Sequence, residues 1–293
     1  MSITPFTPFS PSNVTHVNLA EGWKLLGRGG FGTIYKNGTF VVKIAHNASH
    51  FIESGKTPER AKYFEKVSSE FLQKEVQFID HMMKAEKNGD LKDTLKSVLV
   101  CDYFAWIYGP TGPIICPMFE LGVDFIDHFH ADIKPIVKFY PEYVKSTVIE
   151  IIRCIINGLY AIHTSGIFHR DIKPENIIYF PKKTGLERYK ICDFGLSSFL
   201  SKEGTDVGIR GTRDFFPPEF DEDSKYYSTK YRGDIADIWA AGRTIMTIIG
   251  EAENSKLKLT QPIASMYSND PSKRPTSRKL YETYIVKQKS IFI

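Results

Sequence analysis

The sequence predicts an α+β chain in two lobes, and three observations carry that expectation. Short strand patterns around an Asn-Gly turn occupy Trp23 to Ile44, a long helical period fills Tyr143 to His163, and the composition turns from strand-rich to helix-rich near Gly122. At 293 residues, 42% hydrophobic and 25% charged, the chain is long enough to bury one large core or two lobes. The expected layout is an N-terminal arm over residues 1–20, a first lobe over 21–121 and a second over 122–293.

Each element follows from a local signal. The segments WKLLGRG, GTIYK and TFVVKIA read as three strands, the last two joined at Asn37-Gly38, because both residues tolerate the positive φ of a type I′ hairpin turn. Residues 47–66 are mixed and polar, which predicts a loop. Leu72, Val76, Ile79 and Met83 then recur at helical spacing and predict a helix with one apolar face. The runs SVLVCDYFAWIY and PIICPMFEL, separated by Gly109-Pro110-Thr111-Gly112, predict a second hairpin. Val144, Val148, Ile151, Ile155, Leu159 and Ile162 keep a helical period into GIFHRD, and the remainder reads as mainly helical.

Composition excludes several classes of function. A net charge of +4, spread along the chain, lacks the concentrated basic stripe of a nucleic-acid binder. Cys101, Cys116, Cys154 and Cys192 form no CxxC pair, which argues against a zinc site or a disulfide framework and for a reducing, intracellular setting. The first ten residues have neither the basic start nor the apolar run of a secretory signal. The most apolar later stretches are broken by Glu150, Arg153, Asp237 and Arg243, so no membrane span is expected.

Gly27-Arg28-Gly29-Gly30-Phe31-Gly32 is a GxGxxG, a weak signal alone, since dinucleotide-binding folds use the same spacing to open a helix. Here a strand follows, so the glycines form a strand-loop-strand flap whose amides approach phosphates. His169-Arg170-Asp171-Ile172-Lys173-Pro174-Glu175-Asn176 matches HRDxxxxN at every fixed position, and Asp193-Phe194-Gly195 follows seventeen residues after Asn176. From about Trp23 to about Leu280 the chain resembles the eukaryotic-type protein kinase superfamily, and its KPEN continuation resembles the serine/threonine branch. The resemblance implies a small antiparallel sheet plus one main helix over a larger, mainly helical lobe, with ATP and Mg2+ as cofactors and proteins as substrates.

Residue by residue, the resemblance implies that Asp171 receives the substrate hydroxyl, Lys173 contacts the γ-phosphate, and Asn176 and Asp193 hold magnesium. Lys43 resembles the strand lysine that holds the α- and β-phosphates. Its carboxylate partner is Glu75 rather than Glu70, because Glu75 shares the apolar face between Leu72 and Ile79. Phe119, Glu120, Leu121 and Gly122 resemble the hinge that meets adenine, with Asp124 reaching the ribose or capping a helix, and Ile34, Val41 and Ile178 packing on the base. Gly211 to Glu219 resembles the end of an activation segment, with Thr212 bonded to Asp171 and Lys173. Arg274, in the DPxxRPT-like run from Asp270, is expected to pair with Glu219.

The pattern also departs from the family's. Val41 stands where alanine is usual, and Asp237 and Arg274 are only 37 positions apart, which implies that the helix after the central one is shortened or missing. The economical second lobe is reminiscent of kinases of large DNA viruses, although no motif carries that likeness. Arg170 next to Asp171 is the arrangement that binds an activation-loop phosphate in relatives. Ser197, Ser198, Ser201 and Thr205 are available in the loop, yet Gly208 occupies the usual phosphothreonine position. Activity without loop phosphorylation is therefore expected, with Glu203 or Asp206 meeting Arg170. The rival reading is a pseudokinase scaffold, against which stand Lys43, Asp171, Asn176 and Asp193, all present.

Overall fold

The computed structural model describes residues 14–19, 21–30, 32–89, 94–101, 103–109, 112–200, 208–252 and 258–293. Two compact units emerge: residues 1–80 with 101–121, and residues 81–100 with 122–293. The predicted strands and hairpins form in the first unit. β2 (Lys24–Arg28), β3 (Thr33–Asn37) and β4 (Phe40–Ile44) run antiparallel, and β4 pairs with β6 (Gly112–Glu120), itself the partner of β5 (Tyr103–Gly109). A sixth strand, β1 (Val14–Val17), adds to β5 in parallel, so the arm expected over 1–20 contains part of the sheet.

The loop expected over 47–66 is largely helical. Helix α1 (Ala48–Glu53) is capped by Asn47, whose Oδ1 accepts from His50 N at 3.0 Å, and α2 (Pro58–Lys87) opens on a proline, which suits a first turn with no partner for its N–H. The start of α2 faces water, with Ala61 and Ser68 its first buried residues, so it shows no apolar stripe. Further along, Leu72, Val76, Ile79 and Met82 are buried, while Met83, the expected fourth member of the face, is only half-buried. Leu72 packs with Val42, Ala105, Ile107 and Cys116 to make the core of this unit.

The second unit is built on α4 (Pro141–Thr164), which buries Val144, Val148, Ile151, Ile155, Leu159 and Ile162 as the sequence predicts. Before it stand β7 (Val123–Asp124) and α3 (Phe125–His128). After it come β8 (Ile167–Phe168), β9 (Ile177–Tyr179), β10 (Tyr189–Ile191) and β11 (Ser198–Phe199), paired as two small sheets in the orders β10-β9-β7 and β11-β8. Helix α5 (Gly233–Glu251) buries Ile235 to Gly242 together with Thr244, Ile245, Ile248 and Ile249, and among the described residues no α-helix intervenes before α6 (Ser277–Tyr281). No helix among the described residues is long and apolar enough to cross a membrane.

Candidate active site

In the first unit, strand register places Ile34 opposite Lys43 and Val41 opposite Phe119. Residues directly opposite in a ladder share a face, and Val42 turns to the other face and into the core. Lys43 Nζ lies 2.8 Å from Glu75 Oε2, and Glu75 is 2% exposed, so the ion pair is shielded from solvent. Glu70 instead sits 4.0 Å from Lys66 on an exposed part of α2. The strand carrying Phe119 and Glu120 ends where Leu121 N donates to Thr39 O at 2.7 Å. Gly27 lies in β2 opposite Ile34, and Gly29, Gly30 and Gly32 lie in the turn between β2 and β3, with Gly29 N donating to Gly32 O at 2.9 Å. Phe31 lies outside the described residues.

In the second unit the residues after β8 converge on one carboxylate. Asp171 Oδ1 accepts from Thr212 N and from Thr212 Oγ1, both at 2.8 Å. Its Oδ2 lies 3.0 Å from Lys173 Nζ and accepts from Asn176 Nδ2 at 3.0 Å, while Lys173 Nζ donates to Thr212 Oγ1 at 2.7 Å. The hydroxyl of Thr212 therefore gives its hydrogen to Asp171 and takes one from Lys173, and both protons are accounted for. Gly211 makes this approach feasible: its φ is +115°, and a Cβ there would stand 2.3 Å from Arg170 O.

Backbone strain and its compensation sit at the same place. Arg170 has φ +71° and Asp193 φ +67°, left-handed conformations that non-glycine residues keep only when their surroundings hold them. The buried Asp237 of α5 supplies the hold on Arg170, accepting from Arg170 N at 2.8 Å and His169 N at 2.7 Å. His163 Nε2 also meets that carboxylate, at 3.1 Å. His169 links the two loops: Asp171 N donates to its Nδ1 at 3.3 Å, which leaves Nε2 as donor to Cys192 O at 3.0 Å. Neither His163 nor the grip of Asp237 was visible in motif spacing, since each joins segments far apart in sequence.

Cys192 N donates to Asn176 O at 3.0 Å, which sets the backbones bearing Asn176 and Asp193 side by side. Asn176 commits Nδ2 to Asp171, leaving its amide oxygen as the atom a hard cation would take, and Asp193 offers carboxylate oxygens. Oxygen donors of this kind fit magnesium. Among the described residues no three His, Cys, Asp or Glu side chains gather into a metal cage.

The remaining expectations meet mixed outcomes. Asp124 caps α3, its Oδ1 accepting from Ile126 N at 2.8 Å, and Gly122 packs against Ile178 and Phe180. Glu219 and Arg274 make a bidentate pair, both bonds 2.7 Å, with both residues buried. Arg170 Nη2 donates to Gly208 O at 2.7 Å. Thr205, with Ser201, Glu203 and Asp206, lies outside the described residues. Ser197 is buried, its Oγ donating to His169 O, so it is not an accessible phosphorylation site. All four cysteines are free thiols.

Residues 130–261 match the protein kinase domain family. Among curated proteins, the chain is 37% identical over 117 residues to the serine/threonine-protein kinase ksp1 of Schizosaccharomyces pombe, covering 39% of this chain and 23% of that protein. It is 29% identical over 229 residues to the probable serine/threonine-protein kinase fhkB of Dictyostelium discoideum, covering 76% of this chain and 17% of that protein. It is also 30% identical over 166 residues to a calcium and calcium/calmodulin-dependent serine/threonine-protein kinase of Lotus japonicus, covering 47% of this chain and 31% of that protein. The chain thus spans less than a third of the length of these relatives. The matched residues include both the HRDxxxxN motif, folded around the Asp171 carboxylate, and the DFG motif, and the chain is thus similar to the eukaryotic-type protein kinase superfamily, with relatives named as serine/threonine-protein kinases.

Proposed function

We propose that the chain is an active protein kinase that transfers the γ-phosphate of ATP to serine or threonine hydroxyls of other proteins. The observation that carries this reading is the grip on Asp171, whose two carboxylate oxygens are held by Thr212, Lys173 and Asn176. Phosphoryl transfer asks a protein mainly to position reactants and neutralise charge, so a fixed carboxylate beside a lysine is the required arrangement. Asp171 orients the substrate hydroxyl and takes its proton as the new O–P bond forms and the bond from the γ-phosphorus to the β,γ-bridging oxygen breaks, ADP being the leaving group. Lys173 brings positive charge to the γ-phosphate oxygens, and Lys43, held by Glu75, does the same for the α- and β-phosphates. Asn176 and Asp193 would hold magnesium, which would supply positive charge to screen the phosphates. The family resemblance assigns Ile34, Val41, Phe119 and Ile178 to packing on adenine and the backbone of Glu120 to Gly122 to its edge. Four free thiols support a reducing, intracellular setting.

The deciding experiment incubates the protein with radiolabelled ATP, magnesium and a generic basic protein, beside Asp171→Asn, and identifies the labelled amino acid. Label on serine or threonine is expected, reduced in the variant by about 10²- to 10⁴-fold. No transfer by a wild-type protein that binds ATP would replace this reading with a nucleotide-binding scaffold.

A further inference from the structure

The segment between Lys43 and Glu75 has no part in the chemistry above, yet it carries an imidazole only 3% exposed: His46, three residues beyond Lys43. His46 Nε2 lies 2.8 Å from Gly29 O and Nδ1 3.0 Å from Thr33 Oγ1. A carbonyl can only accept, so Nε2 carries the hydrogen and Nδ1 accepts from the threonine hydroxyl; one neutral tautomer satisfies both. The ring therefore bridges the two limbs of the glycine turn. Gly32 lies so close to the end of β4 that a Cβ there would meet Ile44 O at 2.7 Å.

The backbone of His46 is fastened as well. His46 N donates at 2.9 Å to Oγ of Ser68, a buried residue of α2 seven positions, or two helical turns, before Glu75. Helix α2 thus holds Lys43 through Glu75 and His46 through Ser68. Helix α1 covers the ring: His50 stacks on it with centroids 4.0 Å apart, and Phe51 meets it edge-on at 5.6 Å.

We infer that His46 is a positioning residue that locks the Gly29–Gly30 peptide so that the Gly30 N–H faces the nucleotide's phosphates, an inference that rests on the kinase reading. In a trans peptide the C=O of one residue and the N–H of the next point in opposite directions. Drawing Gly29 O onto the imidazole turns the Gly30 N–H to the opposite, exposed side of the loop. Between two glycines the free peptide flips easily, because neither residue has a Cβ to restrict φ. Without His46 the loop would present a carbonyl to the phosphates about as readily as an amide.

The test titrates ATP and, separately, adenosine into wild type, His46→Leu and His46→Gln by calorimetry, with steady-state kinetics in parallel. His46→Leu should weaken ATP and raise its KM about tenfold, the cost of a lost buried hydrogen bond, while leaving adenosine affinity and kcat within about twofold. His46→Gln, which keeps a donor for Gly29 O, should recover most of the loss. A merely structural histidine would weaken ATP and adenosine in equal proportion, and that result, or unchanged ATP affinity, overturns the inference. If His46→Leu does not fold, Thr33→Val is read by the same criteria. A wild type that binds no ATP overturns instead the kinase reading on which the inference stands.

Discussion

Thr212 shows how much chemistry one hydroxyl can organise. Its Oγ1 donates to Asp171 and accepts from Lys173, and its N–H donates to the same Asp171 oxygen. Thr212→Val keeps the shape and the backbone bond but removes both hydroxyl bonds. We expect kcat to fall about tenfold with ATP KM and melting temperature little changed, and Thr212→Ser to restore it. A Thr212→Val enzyme with wild-type kcat would show that Asp171 needs no such orientation. At this scale the sequence was most informative where roles have fixed spacing: HRDxxxxN and DFG named Asp171, Lys173, Asn176 and Asp193. The choice of Glu75 over Glu70 needed only helical geometry, and the structure puts Glu75 Oε2 2.8 Å from Lys43 Nζ. His46 had no such signal, because a histidine after a strand is ordinary until its partners at Gly29, Thr33 and Ser68 are seen.

Elements were legible in proportion to how much apolar surface they bury. The hairpins β3-β4 and β5-β6 and helix α4 follow from the Asn-Gly turn and from clean periodicity. Helix α1 and the first turns of α2 were read as loop because a helix facing water needs no apolar stripe, only caps such as Asn47 and a Thr57-Pro58 start. Strand β1 escaped because it is short and joins the edge of a sheet whose other members lie far along the chain. The activation segment raises a question of regulation. Gly208 offers Arg170 a carbonyl, at 2.7 Å, and Tyr231 Oη donates to that carbonyl at 3.1 Å. Gly208 thus fixes one end of Arg170, and activity without loop phosphorylation is the expectation. Protein treated with phosphatase, and separately Ser201→Ala/Thr205→Ala, should keep kcat within about twofold of the untreated enzyme. Activity that falls tenfold and returns on preincubation with ATP would show that loop phosphorylation is required after all.

The two units divide the candidate machinery, the first carrying the glycine turn and Lys43–Glu75, the second the Asp171 cluster, and each also encloses a buried histidine whose pKa is lowered, His46 in the first and His128 in the second. Burial holds His46 below its ordinary value of 6.5, aided by the nearby positive charges of Arg28, Lys43 and His50. Burial likewise lowers His128, against Asp132, which favours its charged form, and with Arg188, which opposes it. In the unfolded chain both rings take up protons as pH falls through 6.5, whereas the folded chain resists until lower pH. The unfolded state then binds more protons, so the stabilisation is present above 6.5 and is lost as pH falls toward the folded values. The depressed carboxylates Glu251 and Asp270 act in a separate window, below about 4.5 and 3.8 respectively, because those are their ordinary values. Melting temperature should therefore be level from pH 7.5 to 6.5, drop between 6.5 and 5.5, and drop less in His46→Gln/His128→Gln. A profile flat to pH 5.5, or a drop unchanged in the double variant, would mean that other groups govern acid stability in both units.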